Sequence, residues 1–80
     1  MKARVEVAFR EGVLDPEAVA IGRALASLGF DGVRDVRKVK VIELDLDAQD
    51  QASAESQIRM MCERLLANPV IETYRISLAE

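Results

Sequence analysis

The chain is predicted to form an α+β domain: a two-layer sandwich in β-α-β-α-β order, with a long central strand and the helices on one face of the sheet. Three observations predict it. Apolar residues alternate with polar ones near both ends of the chain. Two stretches repeat apolar residues at helical spacing, each bounded by capping or breaking residues. Between those two lies a long segment of extended character.

Residues 3–9 open the chain as a half-buried strand. Ala3, Val5, Val7 and Phe9 take one face; Lys2, Arg4, Glu6 and Arg10 take the other, with Ala8 the exception. Glu11-Gly12 ends it. Asp15-Pro16 then starts a helix, because Asp accepts hydrogen bonds from free first-turn amides and Pro fits the first helical position. Leu14, Ala18, Ile21, Leu25 and Leu28 recur at helical spacing, and Gly29 sits where a left-handed residue ends such a helix.

Asp31-Gly32 reads as a turn, and Val33 to Leu46 reads as the long strand. Its apolar phase shifts: Val39 and Val41 are odd-numbered, whereas Ile42, Leu44 and Leu46 are even. A bulge near 38–41, or faces covered over different stretches, is needed to accommodate both sets. Fourteen extended residues span about 46 Å, against a diameter of roughly 30 Å for a globule of this size. The strand must therefore bend, or run out into a sheet extended or covered by a second copy. Ser53 is the predicted cap of a second helix, with Ala54, Ile58, Met61, Cys62, Leu65 and Leu66 as its apolar stripe. Asn68-Pro69 closes it, and Val70 to Leu78 is the last strand.

Eighty residues make a single domain, 1–80, that buries only roughly 60 % of its unfolded surface. Such a domain needs reinforcement. One cysteine forms no internal disulfide, and with no histidine a structural zinc is not expected, which leaves oligomerisation. A net charge of −3 argues against nucleic acid and anionic membrane as partners. The alternating start, free thiol and lack of a long apolar run place the chain in the cytoplasm.

No acid–base constellation can be assembled without histidine, and no cofactor is expected. Cys62 lies on an apolar stripe and reads as a small buried hydrophobe. Glu43, Asp45 and Asp47 alternate on one strand face, the pattern of a solvated face more than of a magnesium site. Arg34, Arg37, Lys38 and Lys40 form a basic run, suited either to an acidic or phosphate-bearing partner or to protecting a sheet edge. Because the run precedes the acidic residues on one segment, two antiparallel copies would set Arg34, Arg37, Lys38 and Lys40 against Glu43 and Asp45.

Three blocks carry a family resemblance. Val13-Leu14-Asp15-Pro16 with Ala20-Ile21 and Ala24-Leu25 resembles the first helix of PurS proteins. Val33, Val36-Arg37 and Lys40 with Ile42-Glu43-Leu44 is similar to their central strand. Met61-Cys62-Glu63, Leu65 to Glu72 and Tyr74 resemble the family's most specific block. Val39 and Ala18 stand where the family usually has glycine; the first bears on the bend of the strand. The resemblance implies a non-catalytic adaptor of phosphoribosylformylglycinamidine synthase, the ATP-dependent ligase complex of de novo purine biosynthesis. It implies a homo-oligomer, dimer or tetramer, that bridges the glutaminase subunit releasing ammonia and the synthetase subunit consuming it. The alternative is a ferredoxin-like regulatory domain that senses a small molecule at a subunit interface.

Overall fold

A computed structural model describes residues 1–79. The elements are β1 (Lys2–Phe9), α1 (Pro16–Ser27), β2 (Lys40–Asp45), α2 (Gln51–Met61) and β3 (Glu72–Ala79); α2 runs on into a π-helical turn, Cys62–Leu66. The predicted class and order are observed. β1 is the middle strand, antiparallel to both neighbours in a sheet of order β2-β1-β3. β2 and β3 are therefore parallel to each other, and α2 crosses between them over β1.

Period-two patterning sets the faces. Ala3, Val5 and Val7 point inward, with Ile42 and Leu44 of β2 and Tyr74, Ile76 and Leu78 of β3 in register beside them. Ile58, Cys62 and Ala67 close the core from above. The outer face is a charge ladder: Arg4 faces Glu43, Lys2 faces Asp45, and Glu6 faces Arg75 across the strands.

Local chemistry explains the boundaries. Asp15 Oδ1 accepts from the Glu17 and Ala18 amides at 3.0 and 3.4 Å, as the Asp-Pro pair predicts. Gly29 closes α1 at φ 95°. Asp50, not Ser53, caps α2, its carboxylate accepting from the Ser53 amide at 2.7 Å. Arg10 donates twice to the Pro69 carbonyl, at 2.7 and 3.1 Å, and so pins the Asn68-Pro69 turn to the end of β1.

Four particulars differ from the sequence reading. The long strand is only six residues: Lys40–Asp45 forms the ladder, and residues 33–39 pair with no strand. Val41 points outward while Ile42 and Leu44 point inward, so the phase shift marks the strand's start and not a bulge within it. Val70 and Ile71 belong to the turn before β3. The fourth concerns α1, against which no strand or other helix packs along its length. It leans instead on residues 33–38, where a methyl placed on Gly22 would lie 3.6 Å from Val36 Cγ2 and Lys38 pairs with Glu17. Together they make an arm. The described chain measures 51 × 26 × 14 Å with a radius of gyration of 16.1 Å, against about 12 Å for a globule of this length.

Candidate interaction surfaces

The basic run divides by position. Arg34, Arg37 and Lys38 lie on the extended half of the arm and line an open cleft of about 500 Å³ against Val13, Asp15 and Val19. Lys38 is taken by Glu17, whose carboxylate holds the ammonium above its ordinary pKa. Arg34 and Arg37 have no carboxylate within salt-bridge distance among the described residues. Asp15 spends one oxygen on the helix cap, and its other oxygen is shielded without a hydrogen-bond partner.

Lys40, Glu43 and Asp45 sit on β2, whose outer edge is unpaired. The two carboxylates stand opposite Arg4 and Lys2 of their own sheet, and Asp45 Oδ1 lies 3.5 Å from the N-terminal ammonium. The structure thus does not bring all six predicted residues together: three cations ride on the arm, and Lys40 and the two acids lie on the sheet. Their neighbours Lys2 and Arg4 were legible from the alternation of β1, but only the register says which acid each one faces.

Cys62 is buried, and burial is the leading cause that pushes its thiol up, away from reactivity. No trio of Cys, Asp and Glu converges among the described residues as metal ligands would, and none of their helices is long and apolar enough to cross a membrane.

Apolar residues on the surface complete the picture. Leu14 and Leu28 are 72 and 73 % exposed on the arm, and Phe30 and Val33 follow them. On the body, Leu65 is 83 % exposed beside Met60. The cause of the Leu65 exposure is the π turn. The Ala67 amide bonds to the Cys62 carbonyl five residues back, at 3.0 Å, so Ala67 takes the next core position and Leu65 swings outward. Sequence reasoning, counting 3.6 residues per turn, placed Leu65 inside.

Apolar patches beside unpaired guanidinium groups are features of a contact surface. The family model described as "PurS: Phosphoribosylformylglycinamidine (FGAM) synthase" matches residues 2–80. The chain is 49 % identical to the phosphoribosylformylglycinamidine synthase subunit PurS of Archaeoglobus fulgidus, over 95 % of each chain. Among solved structures it superposes on Methanocaldococcus jannaschii PurS with a TM-score of 0.91 and 38 % identity, covering 99 % of this chain and 95 % of that one. It also matches a chain of the Thermotoga maritima PurLQS structure with a TM-score of 0.86 and 33 % identity, over 95 and 93 % of the two chains.

Proposed function

The chain belongs to the PurS family, subunits of phosphoribosylformylglycinamidine synthase in purine biosynthesis, and from that premise we propose that it is the adaptor of its complex. It binds a glutaminase subunit and an ATP-dependent synthetase subunit at once and fixes the geometry over which ammonia passes between them. The observation that carries this reading is the arm. A small domain has turned a helix and an extended segment outward, with apolar and basic side chains displayed and the only thiol buried. The cytoplasm is its proposed site of action. A complex that makes ammonia at one site and uses it at another gains from holding the two enzymes in fixed proximity, which raises their effective concentration.

The adaptor works as a self-associated unit, and Arg34 and Arg37 are its charged contacts. Lys38 stiffens the arm through Glu17. Lys40, Glu43 and Asp45 form the sheet edge, with the carboxylates shared between the β1 cations and a second copy. Arg37→Glu is expected to weaken self-association about tenfold at low salt, since a two-fold axis repeats the lost contact and exposed pairs contribute up to roughly 1 kcal/mol each. Sedimentation at two ionic strengths checks it: the difference from the parent chain shrinks as salt rises. An unchanged dissociation constant removes Arg37 from the contact.

Reconstitution tests the function itself. Glutamine-dependent formylglycinamidine ribonucleotide synthesis is measured from the matching synthetase and glutaminase, with and without this chain. Activity that appears only with the chain present is the expected result. Equal activity without it, together with no co-elution with either enzyme, rejects the adaptor.

A further inference from the structure

The turn that leads into β3, residues 68–71, is held from both sides. Arg10 donates through Nε and Nη2 to the Pro69 carbonyl, and its amide donates to the Ile71 carbonyl at 2.8 Å. Asn68 organises the turn from within. Its side-chain oxygen accepts from the Val70 amide at 3.1 Å, and its carbonyl accepts from the Ile71 and Glu72 amides at 3.1 and 2.7 Å. Its own amide donates to the Glu72 carboxylate at 2.6 Å. Every backbone amide from Asn68 to Glu72 is thereby engaged, Pro69 having none to offer.

What this rigid turn presents to solvent is apolar. Val70 is 81 % exposed, and Ile71 beside it is exposed as well. Turn tips that face water favour Gly, Asn, Asp or Ser, so an aliphatic, β-branched pair has no local reason to stand there. A stiff side chain on a fixed backbone is suited to anchoring a contact, because its ordering cost is met before binding. A charge stands next to it. Arg10 gives its donors to a carbonyl and has no carboxylate within salt-bridge distance among the described residues.

The surface that fits is an apolar pocket with an acidic rim. The chain's own concave surfaces are not of that kind. The groove beside Leu65 has Arg64 as its only charged wall, and the cleft of the arm carries more cations than acids, Arg10 itself among them. A second copy would set cation against cation. We infer that the 68–71 turn is a docking knob for one catalytic enzyme of the complex, with Val70 seated in an apolar pocket whose rim carboxylate faces Arg10. The assignment rests on the adaptor reading and gives one of its enzyme contacts to a surface outside α1 and residues 33–38. Arg10 is a positioning residue in it, holding the turn while supplying the charge.

Titration of the full chain against the matching synthetase and glutaminase, singly and together, tests the knob, with sedimentation of each variant alone as the control. Val70→Asp is expected to weaken binding to one of the two enzymes at least about tenfold, and to leave the other enzyme and self-association unchanged. Val70→Lys is expected to cost less, because the rim carboxylate attracts it; an equal loss overturns the acidic rim. Arg10→Met weakens the same enzyme about threefold or more, and combined with Val70→Asp it adds less than it costs alone. Full additivity overturns the role of Arg10 in holding Val70. Should Val70→Asp fail to fold by circular dichroism, Val70→Ala replaces it, with a loss of about threefold expected at the same enzyme. A parent chain that binds neither enzyme overturns the adaptor reading. Parent binding with the Val70 variants unimpaired, or impaired toward both enzymes alike, overturns the knob and leaves the adaptor standing. Weakened self-association of Val70→Asp gives the turn to a second copy and overturns the knob equally.

Discussion

Replacing Ile58 by alanine is expected to lower the unfolding free energy by about 3–4 kcal/mol. Ile58 is the largest fully buried side chain, on α2 one turn from Ala54 and one from Cys62, and it caps Val5 and Val7 of the middle strand. The other residues of the buried cluster are short or β-branched: Ala3, Val5, Val7, Cys62 and Ala67. They cannot fill the space left behind, so the loss of transferred methyl groups is compounded by a cavity that collapses only in part onto the partly buried Met61 and Leu66. An 80-residue domain has a total stability of about 4–12 kcal/mol, so this one change removes a large share of it. Urea unfolding followed by circular dichroism checks the prediction, at several protein concentrations because self-association adds stability by mass action. Leu65→Ala, by contrast, is expected to shift the unfolding of the dilute chain by less than about 0.5 kcal/mol, as a surface change does. A loss below about 1 kcal/mol at Ile58 contradicts the packing of α2 on β1.

The contrast between Ile58 and Leu65 also shows where the sequence stops being informative. Both sit on one apolar stripe at a spacing that a regular helix places inward. Nothing in Cys62 to Leu66 announces the π turn, because its driving force is tertiary: Ala67, small enough to meet the sheet, competes for the inward place. The strands were more legible. Alternation in β1 and β3 is a direct imprint of one buried face, and it located Ala3, Val5, Val7, Ile76 and Leu78 without ambiguity. Asp15-Pro16 and Gly29 were equally plain, since capping is local chemistry. The arm was hidden for a different reason. An apolar stripe records that a helix face is buried somewhere, and not which chain or layer buries it, so α1 and α2 read alike. The charged candidates suffered from register: Glu43 and Asp45 look free until β1 is laid beside them with Arg4 and Lys2 in step.

The thiol of Cys62 reports on the same core through its reactivity, and native protection of at least about a thousandfold over the unfolded chain is expected with a disulfide reagent. Its sulfur has no solvent contact, so labelling requires an opening whose population follows the unfolding equilibrium; about 4 kcal/mol already gives three decades. Ile58→Ala, removing about 3 kcal/mol, then speeds labelling by roughly two decades. The pH dependence carries a further signature. Burial, aided by the neighbouring Glu63 charge and opposed by Arg59, raises the thiol above its ordinary value of 9.0. The folded state therefore holds the proton at a pH where the unfolded chain has released it. This contribution to stability is complete below that ordinary value and is lost as pH rises through the folded one. An unfolded or model thiol reaches its maximal rate once it is fully thiolate, whereas the folded chain keeps accelerating, because each further step in pH also populates the opening. Labelling at one pH below 9 and at several above it separates the two curves. A native rate within tenfold of the unfolded one, with the same plateau, places Cys62 in contact with solvent and removes it from the core that Ile58 caps.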